Sequence, residues 1–360
     1  MDTVTQALLG ATIAQAAFGR RLGRKAMLWG AVGGAIPDLD SLVAAPFGAF
    51  ATMVHHRGVS HALWFGPVLG TSIGYAMWRR RRRRAETERL ADWVGLWVLA
   101  IGTHPLLDLF TTYGTQLLTP LSRHRFAING IGIIDPIYTL LLLAAVIVGV
   151  AATRRTRLSQ WASWSALAVT TGYLFWGVHL NQQAERFAKR QLETEGVPYV
   201  DVRAYPTVLQ LWLRRVVVNG DDMIRVGYVS MLEPQRIDWF TAPRREHPLI
   251  ARLAGTEKGR VFSWFAQDML AGHLRPGSGG VVVELHDIRY GLPPIADRGF
   301  WGIRATFSED GEQLTPVERF RRPMDGSTSR ALRDLWRAAL GHDPCTFRVG
   351  VRPEDPPVRC

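Results

Sequence analysis

The sequence predicts an α-helical membrane bundle over residues 1–180, followed by a small soluble α+β domain over residues 181–360. Two observations predict this division. Apolar runs crowd the first half, so the mean hydropathy of +0.01 is an average over two unlike halves. Clusters of basic residues follow several of these runs, as is typical of the cytoplasmic ends of membrane helices.

The first half is expected to hold about four to six apolar helices, because some of its apolar segments are short for a bilayer core of about 30 Å. Val4–Phe18 and Met27–Ile36 are the short ones, and Pro37 stops the second. Ser60 is the expected N-cap of the next helix. The clearer spans are Ala62–Trp78, Trp93–Phe110, Pro136–Ala152 and Trp161–Val178.

The basic clusters predict the orientation of the chain. Arg20–Lys25, Arg79–Arg84 and Arg154–Arg157 should face the cytoplasm, so the connections between them should face outward. The protein is therefore expected to cross the cytoplasmic (inner) membrane several times, with the C-terminal domain on the periplasmic or extracellular side. Asp2 precedes the first apolar run and positive residues follow it, which is the reverse of a cleavable signal.

The formal net charge of +12 is compatible with nucleic-acid binding, but the strongest basic run directly follows an apolar segment, which favours a cytoplasmic topology anchor. No nucleic-acid partner is therefore expected. The expected partners are membrane lipids, and the sequence does not indicate a protein partner. The two cysteines, Cys345 and Cys360, lack the spacing of a metal site.

Patterns in the second half indicate strands and one helix. Asn219-Gly220 separates two β-branched runs and predicts a β-hairpin. Val281–Tyr290 and Trp301–Phe307 read as further strands, and Ser327–Leu340 reads as a helix.

Clusters of metal-ligand residue types lie in or beside the apolar segments. They are Asp38-x-Asp40, His55-His56-x4-His61 and His104-x3-Asp108. Ionisable side chains at membrane depth are costly, so each is a functional candidate. The topology drawn from basic residues alone brings all of these clusters to the same outward face. Together they predict a site for a divalent cation.

Each cluster also has an ordinary structural interpretation. His104 and Asp108 would share one helix face about 6 Å apart, yet they could be a hydrogen-bonded histidine and a capping aspartate. Asp38 could cap a following helix, and the histidine loop could simply be solvated. Asp135 could cap the helix that begins at Pro136, while Arg57 could clamp a phosphate or carboxylate through its planar fork.

Four motifs together resemble one known family. They are Met1–Gln6 (MDTVTQ), Pro37–Asp40 (PDLD), His56–His61 (HRGVSH) and His104–Asp108 (HPLLD). Their order over roughly residues 1–180 resembles the YdjM/YbcI-type membrane-bound metal-dependent hydrolases, also described as LexA-binding inner-membrane hydrolases. That family looks distantly related to zinc-dependent phospholipase C.

The resemblance implies a set of metal ligands and a cofactor. Zinc is the expected metal, with manganese or magnesium as alternatives. Many family members have histidine where this chain has Gln6, so the number of metals stays open. Gln6, His55 and Asp135 are expected to lie behind the ligands. The implied ligands are Asp38, Asp40, His56, His61, His104 and Asp108.

The sequence thus predicts an integral membrane metal-dependent hydrolase that acts on a phosphoester or lipid-linked substrate through an activated water. Asp38 or Asp40 would act as the general base, and Arg57 would steady developing negative charge. The alternatives are a metal transporter or sensor without catalysis, and a scaffold that recruits a partner. An association with LexA would need cytoplasmic contact, whereas the larger soluble half is expected outside.

Overall fold

A computed structural model of the chain describes residues 1–84, 88–152, 156–221, 223–243, 247–277, 279–291, 298–321 and 328–341. The chain divides into two compact units. The first comprises Met1–Val178 and Val208–Gln210, and the second comprises His179–Thr207 and Leu211–Cys360. Cys345 and Cys360 lie outside the described residues.

Helices build the first unit, as the apolar pattern predicts. The long ones agree with the predicted segments, except that the last continues to Thr194 instead of ending near Val178. Short 3₁₀ turns over Ile36–Asp38, Ala45–Phe47 and Val59–His61 join some of them. The helices are α1 (Thr3–Leu22), α2 (Arg24–Ala35), α3 (Leu39–Ala44), α4 (Ala49–His55), α5 (Phe65–Arg82), α6 (Leu90–Leu109), α7 (Pro136–Ala151) and α8 (Thr156–Thr194).

The N-terminal cap of α7 agrees with the sequence-based prediction, whereas that of α5 does not. Pro136 occupies the first turn of α7 and Asp135 caps it by accepting from the Tyr138 N–H, as predicted. The prediction for Ser60 is wrong, because α5 begins at Phe65 without a side-chain cap. Ser60 Oγ instead donates to Asp40 at 2.5 Å.

Among the described helices, α6 alone is long and apolar enough to cross a bilayer by length and composition, and α7 is apolar but shorter. The helical character of the first half is confirmed. The number of membrane spans stays a prediction.

Glycines let pairs of these helices touch backbone to backbone. A Cβ on Gly30 of α2 would lie 2.3 Å from the Gly10 carbonyl oxygen of α1. A Cβ on Gly70 of α5 would lie 2.6 Å from the backbone nitrogen of Val98 in α6. Small residues at such contacts are typical of membrane helices. Because lipid tails are as apolar as the helix surfaces, the hydrophobic effect contributes little to helix association in a membrane, and close packing contributes more.

The second unit contains two antiparallel sheets of four strands each, ordered β1-β2-β3-β4 and β5-β6-β7-β8. The predicted hairpin is confirmed, with Asn219 opposite Ile224, and the strand and helix patterns also fall on real elements. The strands are β1 (Asp201–Pro206), β2 (Leu213–Asn219), β3 (Met223–Ser230), β4 (Phe240–Pro243), β5 (Leu270–Gly277), β6 (Gly280–Asp287), β7 (Trp301–Phe307) and β8 (Glu318–Arg321). The helices are α9 (Pro248–Gly255), α10 (Glu257–Phe265) and α11 (Thr328–Ala339).

The core of the second unit lies against both sheets. Val217 and Val226 from the first sheet pack in one apolar cluster with Ala271 from the second and with Ile288 just beyond it. The C-terminal part of α8 covers the other face of the first sheet through Ala184, among other residues. These contacts confirm helices and antiparallel sheets in the second half.

Candidate metal centre

Three separate segments bring four side chains to one point in the first unit. Asp38 ends the 3₁₀ turn after α2, where Pro37 closes the helix. His61 ends the turn that precedes α5. His104 and Asp108 lie one turn apart near the end of α6, on one face as predicted. One nitrogen or oxygen atom from each residue lies within 4.8 Å of the others, and the last three residues are buried.

The spacing of these four atoms resembles the edges of a small tetrahedron. His61 Nε2 and His104 Nε2 are 3.1 Å apart. Asp108 Oδ2 lies 3.3 Å and 3.6 Å from those two nitrogens, and Asp38 Oδ1 lies 3.8 Å and 3.4 Å from them. Tetrahedral ligands about 2.0–2.1 Å from a zinc ion would be about 3.3 Å from each other.

The opposite ring nitrogens fix the tautomers of both histidines. His104 Nδ1 lies 2.6 Å from the Gly34 carbonyl oxygen, which only accepts, so this nitrogen carries a hydrogen. His61 Nδ1 lies 2.9 Å from Ser60 Oγ and 3.2 Å from Asp40 Oδ2. In the neutral rings both Nε2 lone pairs therefore point toward the shared centre.

The centre fits a divalent cation. Two imidazole lone pairs and two carboxylate oxygens converge in a buried space, which is unfavourable unless positive charge lies between them. Asp108 Oδ2 is buried and accepts no hydrogen bond from the described residues, although it forms an ion pair with Arg57 Nε at 3.0 Å. Its other oxygen accepts from Gln6 Nε2 at 3.0 Å and also contacts the Met1 nitrogen.

Asp40 lies behind His61 rather than among the four atoms. Its Oδ2 accepts from Ser60 Oγ and from the Arg57 backbone N–H at 3.0 Å, and its Oδ1 lies 2.7 Å from His56 Nδ1. Burial by itself would raise the pKa of Asp40, but the hydrogen bonds to His56 and His61 outweigh it and lower the pKa well below its usual value. The carboxylate is thus held charged and fixes both rings.

Arg57 provides positive charge from the side of α6. The residue is 3% exposed, and its Nε lies 3.0 Å from Asp108 Oδ2. Its Nη1 donates to Thr111 at 2.7 Å, and the guanidinium lies 4.7 Å from the ring centre of Tyr113. Its backbone φ of 59° is in the left-handed region, which non-glycine residues rarely adopt. Such a conformation persists only where the surrounding contacts enforce it.

Asp38 has a partner that the sequence pattern did not single out. Thr3 Oγ1 donates to Asp38 Oδ2 at 2.6 Å, so only Oδ1 faces the centre. Burial opposes ionisation, yet hydrogen bonds to His104 and Thr3 lower the pKa of Asp38 to about 2. Thr3 belongs to the N-terminal motif, which was the only signal that could have identified it.

The structure separates the remaining candidate residues from the four. His56 lies at the rim against Asp40, and Gln6 is buried with its amide on Asp108. His55 is exposed at the end of α4. Asp135 caps α7 and accepts from the hydroxyl of Tyr173 at 3.0 Å. The Gly34 carbonyl could not be found from sequence, because a backbone atom has no residue-type signal.

Comparisons with known proteins place this chain in a family. A family model described as "YdjM inner membrane protein" matches residues 1–184. A curated Bacillus subtilis (strain 168) protein, "Uncharacterized protein YfhP", is 30% identical over 120 residues. This match covers 32% of the chain and 33% of that protein, so the alignment spans about a third of the curated relative. No solved structure matches the chain.

Proposed function

The chain belongs to the YdjM inner membrane protein family, and we propose that its aspartate–histidine cluster is the metal centre of a membrane-bound phosphoester hydrolase. The convergence of four donor atoms within 4.8 Å carries the proposal. Asp38, His61, His104 and Asp108 would hold the metal, and zinc suits two nitrogen and two oxygen donors at these separations. A bound zinc would supply Lewis acidity and lower the pKa of a water molecule.

The residues around the centre suggest how a proton is moved. All the contacts of Asp40 are with donors, so it holds His56 and His61 in place rather than abstracting a proton. His56 is bound through Nδ1 and keeps 19% of its side chain exposed. Its Nε2 is therefore the atom left to take a proton or return it to a leaving group. These contacts favour His56 over Asp40 for proton transfer.

Arg57 would offset part of the negative charge of the carboxylates around the centre. Three carboxylates, those of Asp38, Asp40 and Asp108, lie around the centre, and Arg57 lies 3.0 Å from the last of them. A fixed guanidinium lowers the cost of burying these carboxylates and leaves a positive field where a phosphoryl oxygen would gain negative charge.

Metal analysis and turnover together test the proposal. Detergent-purified protein should carry zinc, manganese or magnesium, and D38A/H104A should lose it. H124A is the matched control, because His124 is a histidine of the same unit that packs edge-to-face against Phe126 instead of joining the cluster. The wild-type protein and H124A should hydrolyse bis-p-nitrophenyl phosphate, whereas the double variant should not. Metal without turnover would favour a sensor or transporter, and absence of metal after reloading would favour a scaffold.

We also propose that the arginine clusters face the cytoplasm and the second unit faces outward. The support is the position of the clusters after apolar helices, as in the last turn of α5. Single cysteines at Arg82 and Glu233, both exposed, in a background without Cys345 and Cys360, test the orientation. A membrane-impermeant thiol reagent should label position 233 from outside in intact spheroplasts and position 82 only after lysis. The opposite pattern would invert the topology.

A further inference from the structure

An open apolar groove runs along the surface of the first unit between α1, α2 and α7. Its volume is about 600 Å³, and its walls are almost wholly apolar. Small side chains, including Ala7 of α1 and Ala31 of α2, line it and leave its middle unfilled. Its long axis follows α2 from Arg24 to Ala35, a rise of about 17 Å at ~1.5 Å per residue, which is a little over half of a ~30 Å bilayer core.

One end of the groove lies one hydrogen bond away from the metal centre. Thr3 lines that end and its hydroxyl donates to Asp38 Oδ2, so the groove and a cluster residue share one side chain. Arg24 closes the other end by donating from Nη2 to the Val150 carbonyl oxygen at 3.4 Å. The groove therefore meets the polar site through Thr3, at one end.

We infer that this groove holds one hydrocarbon chain of a membrane lipid, whose phosphoester head group lies at the Asp38 end. The inference rests on the proposed function and names its substrate class: a phosphoester lipid taken directly from the bilayer. The family is an inner-membrane family, so the apolar outer faces of these helices meet lipid tails. A linear hydrocarbon chain suits a groove of about 600 Å³ that is lined by alanines and by larger aliphatic side chains.

A second apolar feature lies beside the same site. Immediately after Asp40, Leu42 and Val43 are each 69% exposed and Phe47 is 78% exposed. Such side chains are stable at a membrane boundary, where their apolar surface leaves water. Their place next to the cluster supports entry of substrate from the lipid side rather than from bulk water.

Photolabelling in vesicles tests the inference. The probe is a phosphatidylglycerol with a diazirine in the middle of one acyl chain, mixed into phosphatidylcholine vesicles that contain the full-length protein. Labels on wild type should concentrate on the groove walls of α1, α2 and α7. Ala31→Phe should fill the groove and lower this labelling about fivefold, since the groove and the bilayer compete for the chain by packing alone. Ala168→Phe, at an exposed position on α8, should leave it unchanged.

Two further readouts separate this inference from the proposed function. Metal content should be equal in wild type, A31F and A168F, and A168F should keep hydrolysis of bis-p-nitrophenyl phosphate, which has no acyl chain. Label spread evenly over all exposed apolar helix faces, or groove labelling unchanged in A31F, would overturn the groove assignment whatever the metal content. If A31F does not fold, the wild-type labelling pattern still decides. A wild-type protein that is labelled in the groove but binds no metal would instead refute the metal centre.

Discussion

Asp40→Asn should weaken metal binding without removing a ligand. The substitution keeps the size of the side chain but removes the negative charge that faces His61 Nδ1, His56 Nδ1 and the Ser60 hydroxyl. The His61 ring would lose the carboxylate that holds its hydrogen on Nδ1 and its lone pair on Nε2.

The size of the effect follows from this position behind the ligand. Changing such a hydrogen-bond partner typically costs 10- to 100-fold in metal affinity, or about 1.4–2.7 kcal/mol. Removing a direct ligand would cost more affinity. Asp38→Asn should therefore weaken metal binding more than Asp40→Asn does. If Asp40 were itself a ligand, as the family resemblance implies, the two variants would lose similar affinity.

Competition of purified protein with a fluorescent zinc chelator gives the dissociation constants. Asp92→Asn is the matched control, because Asp92 is a buried aspartate of α6 paired with Arg21 at 2.6 Å, far along the helix from the centre. Wild-type affinity in Asp40→Asn, or an equal loss in Asp92→Asn, would refute this account of how His61 is held.

Close helix packing, the Gln6 position and the Glu284–His286 contact can each be tested by a single substitution. Gly70→Ala should destabilise the first unit by roughly 1–3 kcal/mol, because its Cβ would lie 2.6 Å from backbone of α6. Gly102→Ala, where an added Cβ would meet no atom within 4 Å outside the backbone of its own helix, should be tolerated in a detergent melting assay. Gln6→His should raise the metal-to-protein ratio measured by elemental analysis, since Gln6 Nε2 already lies 3.0 Å from Asp108. The hydrogen bond to His286 lowers the pKa of Glu284 to about 2. Ionised Glu284 should therefore add roughly 1–3 kcal/mol above pH ~4, and the stability difference from Glu284→Gln, followed by denaturant unfolding, should vanish as pH falls toward 2.

Periodic and local features of the sequence predict several helices and one hairpin correctly. The apolar runs predicted α1, α2, α6 and α7, and Asn219-Gly220 predicted the β2–β3 hairpin. These features depend on the hydropathy and turn preferences of neighbouring residues, which are written in the sequence. The length of α8 was missed because its C-terminal part is polar and amphipathic, so hydropathy alone ended the segment near Val178.

The sequence does not predict which residues of the site face the centre and which lie behind them. The sequence identified the acid and histidine clusters and the i, i+4 pair His104 and Asp108, because helical spacing fixes that pair locally. It did not distinguish Asp38, whose Oδ1 faces the centre, from Asp40, which lies behind His61 two residues later. That distinction depends on the 3₁₀ turn after Pro37 and on the arrival of His61 from another segment.

The sequence by itself therefore determined that the first half is helical and the second half forms sheets, that the chain belongs to an inner-membrane family, and which chemical types form the centre. The tertiary structure alone decided which atoms converge, that Thr3 joins the site to an apolar groove, and that the Gly34 carbonyl sets the tautomer of His104. The physical reason is the sequence separation of the residues involved. Hydropathy patterns and helix spacing depend on residues a few positions apart, whereas the four donor atoms meet only when residues far apart in the chain pack together.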